Sequence, residues 1–272
     1  MSKTLAIGTF DGVHLGHRRV LEQADAVVTF DPHPRVVLGN QVELISTLER
    51  RLELIREAGI DEVVVVDFTL ELSQLEPEEF VERHIRPLGA SAIVAGEDFR
   101  FGRQRRGDLD LLAALGFEVR RVPPVEGVSS TEIRRLLREG DVREAAKLLG
   151  RPAEVEGTVV AGDARGGTLG FPTANLAVAP ELLVPAYGIY AGAALGTRAA
   201  VSIGTNPHYG GRERRVEAFL LDFGGDLYGR RLVVELWERL RDERAFSSEE
   251  ELVAAIAADV EATRMATRPE IG

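Results

Sequence analysis

Apolar residues in the first half of the chain gather into short runs at 5–7, 26–30, 63–68, 92–95 and 117–122. Between the runs, apolar positions take helical spacing, as at Leu48, Leu52 and Ile55 and again at Phe80, Val81, His84 and Ile85. Near-continuous apolar runs alternating with helical stretches predict a parallel sheet with helices on both faces. Ser130 predicts the N-cap of a helix over 131–139 stopped by Gly140, and 141–149 predicts one more. After Gly150 the rhythm changes. Runs at 155–160, 199–203, 216–221 and 232–236 follow one another through glycine-rich turns, most without a helix between them. Only 247–263 has the pattern of a long helix, with Ser247 or Ser248 as cap and glutamates in its first turn. Strands closed by one helix predict a small β-barrel with a packed C-terminal helix. The expected architecture is α/β, with one domain over 1–150 and a barrel domain over 151–272, divided near Gly150-Arg151-Pro152.

Composition narrows the chemistry. A length of 272 residues suits two domains, and the net charge of -11 argues against a nucleic-acid partner. Cysteine is absent, which excludes disulfides, cysteinyl zinc sites and thiolate nucleophiles. Lys3 and Lys147 are the only lysines, and neither ends a Gly-Lys-Ser/Thr phosphate loop. Phosphates would have to be held by arginine, histidine, backbone N–H groups or metal. With no signal-peptide pattern and no apolar stretch of membrane-spanning length, a cytoplasmic protein acting on small molecules, away from membranes, is expected.

The run at 5–7 leads into Gly8-Thr9-Phe10-Asp11-Gly12-Val13-His14-Leu15-Gly16-His17. A strand, a glycine turn and a helix start would put His14 and His17 on one helix face, with Gly12 and Gly16 letting a ligand approach the backbone. His-x-x-His alone also fits a solvated helix face or a zinc half-site, but no carboxylates at helical spacing complete such a metal site. The motif resembles the His-x-Gly-His signature of nucleotidyltransferases with a Rossmann-like domain. Ser129-Ser130-Thr131-Glu132-Ile133-Arg134 falls where that group has its second phosphate motif. Thr29-Phe30-Asp31-Pro32-His33-Pro34 and Gly96-Glu97-Asp98-Phe99-Arg100-Phe101-Gly102 resemble the prokaryotic FAD synthetase family. Phe99 to Phe101 also fit a hydrophobic plug under a loop. The resemblance implies ATP and phosphate binding at Gly8, Thr9, Phe10, Asp11, Gly12, His14, Gly16, His17, Ser130, Thr131 and Arg134. It implies flavin binding at Asp31, His33, Asp98, Phe99, Arg100 and Phe101. His17 is close enough to Ala26 to leave barely two helical turns between them, fewer than the family's long first helix.

In the second half, Gly162-Asp163-Ala164-Arg165 leads through Gly170-Phe171-Pro172-Thr173-Ala174-Asn175. Glu217 sits among apolar residues; alternation puts it with Phe219 and Leu221, opposite Val216, Ala218 and Leu220. Such a carboxylate is paired, exposed at a barrel rim, or functional. The segment resembles the flavokinase motif of riboflavin kinases. That resemblance implies nucleotide binding by Gly162, Arg165, Gly170, Pro172, Thr173 and Asn175, Mg²⁺ held by Thr173 and Asn175, and Glu217 as catalytic base. The whole chain resembles a bifunctional family that phosphorylates riboflavin with ATP and adenylylates the resulting FMN to FAD. Two other readings stay open at this level: a kinase with a degenerate first half, and a flavin-binding regulatory protein.

Overall fold

A computed structural model of the chain describes residues 3–162, 171–205 and 214–271. Its packing divides into two units, Met1–Ser130 and Thr131–Gly272.

In the first unit, β1 (Thr4–Ile7), β2 (Ala26–Asp31), β3 (Glu62–Asp67), β4 (Ala92–Gly96) and β5 (Glu118–Val122) form one parallel sheet in the order β3-β2-β1-β4-β5. The near-continuous apolar runs of β1, β2 and β4 take the buried centre, and β3 and β5, carrying Glu62, Asp67, Glu118 and Arg121 exposed, take the edges. Alternation then splits the strands between two cores. Leu5, Ile7, Val28, Phe30 and Ile93 pack with Phe80, Val81, Ile85 and Leu112, while Ala6, Val27 and Val94 pack with Phe10, Val20, Leu54 and Ile55. The covering helices are α1 (Leu15–Leu21), α2 (Pro34–Val37), α3 (Leu48–Glu57), α4 (Leu70–Ser73), α5 (Pro77–Phe80) and α6 (Leu109–Ala114).

Two expected helices differ in detail. The stretch around 80–85 is not one regular helix: α5 passes into a π-turn over Val81–Ile85 and a 3₁₀ turn over Arg86–Leu88 that stops at Gly89. Pro87 has no N–H to continue an α-helical ladder there. In α3 the buried stripe runs through Arg51, Leu54 and Ile55, so a charged residue occupies a core-facing position.

The second unit begins with α7 (Ser130–Glu139, whose first residue closes the first unit) and α8 (Val142–Leu149), capped by the Asp141 side chain and ended by Gly150 in the left-handed region. Both helices pack with the barrel: Ala186 N–H donates to the Leu137 carbonyl at 3.0 Å, and Arg143 pairs with Glu238 at 2.6 Å. The described strands of the barrel are β6 (Ala153–Val160), β7 (Ala174–Ala177), β8 (Gly188–Ala194), β9 (Thr197–Thr205), β10 (Arg214–Leu220) and β11 (Arg231–Arg241). They close in the order β10-β7-β6-β11-β8-β9, every neighbour antiparallel. The strand pattern anticipated β6, β9, β10 and β11. It missed β7 and β8, whose sequences ANLA and GIYAGAA lack the β-branched runs that mark strands. The final helix α9 (Glu249–Met265) is capped by Ser248 and packs on β8 and β9.

Candidate functional sites

The strand order of the first unit reverses at β1, which has β2 on one side and β4 on the other. Segments leaving the C-terminal ends of β1 and β4 therefore border the crevice where open α/β sheets take ligands. Those segments are 8–17 and 96–102, two of the four that sequence analysis singled out in the first half.

The turn after β1 is held by buried groups. The Asp11 carboxylate, 2% exposed, accepts from Ile45 N–H at 3.0 Å and Ser46 N–H at 3.1 Å, and Gly12 N–H donates to Ser46 Oγ at 3.0 Å. A Cβ on Gly12 would stand 2.7 Å from Ile45 Cγ2, at a φ of +78° that side chains rarely adopt. Asp11 thus ties the turn to 45–46, and buried Phe10 lies beneath Gly8. His14 caps α1, its Nδ1 accepting from His17 N–H at 3.2 Å, which puts the proton of a neutral ring on Nε2. The two imidazoles stack 3.6 Å apart at 14°, with Phe10 edge-on to His17 at 5.4 Å. The expected pairing of the two histidines on one helix face is realised as a ring stack.

Val128 lies near Gly16, about 4.0 Å from where its Cβ would stand, and two residues later Ser130 opens α7. Thr131 on that helix is exposed, whereas Arg134 is buried.

Beside this turn, sequence reasoning missed Arg51. Only 3% exposed, it donates from Nη1 to the Thr9 carbonyl at 2.8 Å and from Nη2 to Asp31 Oδ1 at 3.2 Å, and Thr29 Oγ1 donates to the same carbonyl at 3.1 Å. Burial pulls the Arg51 pKa down, while Asp11 and Asp31 oppose that shift. The available signal was an arginine in the helical stripe that carries Leu54 and Ile55. His33 also has a structural contact: its Nδ1 accepts from Arg35 N–H at 3.2 Å and caps α2.

After β4, Asp98 and Arg100 are exposed and Phe99 is half-buried. Phe101 joins the core, stacked on Phe99 at 5.6 Å and 5.7 Å from Phe80, with Gly107 directly under its ring. Its ring is a support for Phe99, as the plug reading of this segment anticipated.

The second cluster lies on β10. Val216, Ala218 and Leu220 are buried, and Arg215, Glu217 and Phe219 occupy the other face, as alternation predicted for Glu217 and Phe219. Glu217 stands opposite Asn175 of β7 and Ser202 of β9. Arg215 donates from Nε at 3.0 Å and from Nη2 at 2.8 Å to Asn175 Oδ1, and it forms an ion pair with Glu217. Of the three readings left open for Glu217, pairing is therefore present, and a functional role is compatible with it. Arg215 escaped the sequence reading, although a cation two residues from Glu217 must share its strand face.

Around this trio, Asn175 Nδ2 reaches the Thr173 carbonyl at 3.4 Å, and Phe171 meets Phe219 edge-on at 5.5 Å. Gly162 touches the Asn175 amide so closely that a Cβ would fall 2.2 Å from Nδ2. Pro172 is exposed; Arg165 and Gly170 lie outside the described residues.

Comparisons with known proteins align with both clusters. The chain matches the FAD synthetase family over residues 1–134 and the riboflavin kinase family over residues 149–267. The bifunctional riboflavin kinase/FMN adenylyltransferase of Listeria monocytogenes is 37% identical, over 97% of this chain and 92% of the relative. The Escherichia coli K12 protein of the same description is 34% identical, over 94% and 90%. The crystal structure of a macrolide-efflux protein from Streptococcus pneumoniae aligns with a TM-score of 0.87 at 35% identity, covering 98% of this chain and 95% of that one. Efflux belongs to that protein's name; among the described residues here, no helix is long and apolar enough to cross a membrane. With two family matches in sequence order and relatives that align over nearly their whole length, the chain belongs to the bifunctional riboflavin kinase/FMN adenylyltransferase family.

Proposed function

We propose that the chain carries out two successive steps of flavin-nucleotide synthesis, each at one of the two clusters. As a member of its family it is a transferase with riboflavin kinase and FMN adenylyltransferase activities, using ATP and flavins as substrates. The functional boundary we assign follows the chemistry, with adenylyl transfer over 1–150 and phosphoryl transfer over 151–272.

In the kinase step, Glu217 acts as general base, taking the proton from the ribityl 5′-hydroxyl as that oxygen attacks the γ-phosphorus of ATP and ADP leaves. Thr173 and Asn175 would hold Mg²⁺. The donors suit it: the oxygens of a hydroxyl and an amide are hard ligands, few enough that waters and the nucleotide phosphates would supply the rest. Among the described residues there is no group of three His, Cys, Asp or Glu side chains that could hold a metal, so the ion would lean on the nucleotide. When bound, Mg²⁺ offsets charge on the transferring phosphoryl group. Gly162, Arg165, Gly170 and Pro172 are assigned to nucleotide binding.

In the second step, an FMN phosphate oxygen attacks the α-phosphorus of ATP and pyrophosphate leaves. That reaction needs in-line placement and charge neutralisation, without a covalent nucleophile. His14, His17, Ser130, Thr131 and Arg134 are assigned to the phosphates, with Gly8, Thr9, Gly12 and Gly16 giving backbone access and Phe10 and Asp11 shaping the turn. Asp31, Asp98, Phe99 and Arg100 are assigned to flavin, supported by His33 and Phe101.

The observation that carries this reading is the Glu217–Arg215–Asn175 cluster on paired strands, placing a carboxylate beside hard-oxygen donors. Purified protein incubated with riboflavin, ATP and Mg²⁺ is expected to yield FMN and then FAD on chromatography. FMN without FAD would leave only the kinase, and absence of both would overturn the enzymatic reading.

A further inference from the structure

We propose that Arg215 is a cationic placeholder for the kinase site's divalent ion, occupying its ligand Asn175 until metal and nucleotide arrive together. The inference rests on the kinase reading above and concerns only how that site is loaded.

Arg215 gathers the oxygens a hard cation would take. Its Nε and Nη2 both donate to Asn175 Oδ1, at 3.0 and 2.8 Å, and its guanidinium also pairs with Glu217. Two N–H donors on one amide oxygen use the lone pairs that a metal ligand must offer. The acceptors are held in register, Glu217 directly opposite Asn175 across the β10–β7 pair. Gly162, in close contact with the Asn175 amide, further limits where that side chain sits. The guanidinium stands on a long, rotatable stem, which makes it the member of the trio able to leave.

A single positive charge among these oxygens does two things. It balances the Glu217 carboxylate in the resting site, and it opposes entry of a bare divalent ion by like-charge repulsion and by occupying Asn175. A metal–nucleotide complex differs because its phosphates give the displaced guanidinium a new anionic partner. Arg215 therefore couples metal entry to nucleotide entry.

The test measures Mn²⁺ binding by electron paramagnetic resonance to the full-length protein, without nucleotide, for wild type, R215K and R215M. R215M is expected to bind Mn²⁺ at least about tenfold more tightly than wild type, because a nearby positive charge repels a divalent ion. R215K, which keeps the charge, is expected to stay close to wild type. In the presence of ADP the difference between R215M and wild type should shrink to about twofold, because the phosphates have already drawn Arg215 away. Equal or weaker Mn²⁺ binding by R215M, or an R215M advantage undiminished by ADP, overturns the proposal.

A second measurement needs no variant. The Arg215 Nε–H resonance of the ¹⁵N-labelled wild type should be protected from exchange without ligand, unchanged by Mg²⁺ alone, and shifted by Mg²⁺ with ADP. A shift with Mg²⁺ alone overturns the coupling. Failure of wild type to form FMN would sink the kinase reading itself; FMN formation with unchanged Mn²⁺ affinity in R215M would sink only the placeholder.

Discussion

The two candidate sites are built on opposite principles. In the α/β unit, the turn after β1 is tied down by polar groups that point inward: Asp11 to the 45–46 backbone, Arg51 to the Thr9 carbonyl, His14 to the start of α1. In the barrel, Arg215, Asn175 and Glu217 meet on a partly exposed strand face and satisfy one another. The contrast follows the chemistry assigned to each. Adenylyl transfer to a phosphate nucleophile needs placement and charge neutralisation, which a rigid turn supplies. Phosphoryl transfer to a hydroxyl also needs a base, which calls for an ionisable side chain able to exchange partners.

The largest effects should come from removing chemistry on one side while the other continues. Glu217→Gln is expected to lower FMN formation by roughly 10²–10⁴, the range for loss of a positioned general base, while FAD still forms from supplied FMN. Loss of both activities in that variant would break the comparison, since it would show that the sites do not act independently. His17→Ala should do the reverse, lowering adenylyl transfer by about 10²–10³ as one preorganised donor to developing charge is lost. Riboflavin phosphorylation should be unchanged in His17→Ala.

Effects of geometry should be smaller. Gly162→Ala puts a methyl group where the Asn175 amide stands, so kinase turnover is expected to fall by roughly 10 to 10² with the circular dichroism spectrum unaltered. An unaffected kinase rate would show that Asn175 needs no fixed position. Asp11→Ala leaves the half-buried Ile45 and buried Ser46 N–H groups without their carboxylate and should destabilise the first unit by about 1–3 kcal/mol. Hydrogen exchange at those two amides would read this directly. Faster exchange confined to 45–46, with the barrel amides unchanged, would sharpen the contrast between a site held by buried ties and one held by surface pairing.

Much of the plan was legible because it depends on local periodicity. The runs at 26–30 and 92–95 read as buried strands since they lack charged interruptions, and they occupy the sheet centre. Glu217 was legible as a charge out of place in an apolar alternation. β8 was not, because Gly188, Ala191, Gly192 and Ala193 carry no strand signal of their own and gain it by pairing with β9 and β11. Arg51 and Arg215 escaped for a related reason. A charged residue reads as solvent-facing until the acceptors that bury or pair it are known, and Thr9, Asp31 and Asn175 lie far away in sequence.

The sequence by itself determined the order of two architectures, the signature turn with its two histidines, and the carboxylate on β10. These follow from side-chain period, turn chemistry and residue type, which act over a few positions. Tertiary structure alone decided what each polar group does within its site. It turned Asp11 inward as a tie, brought Arg51 onto the Thr9 carbonyl, and set Arg215 between Asn175 and Glu217. Hydrogen bonds are satisfied by whichever partner the fold brings within about 3 Å, and sequence spacing does not encode that distance.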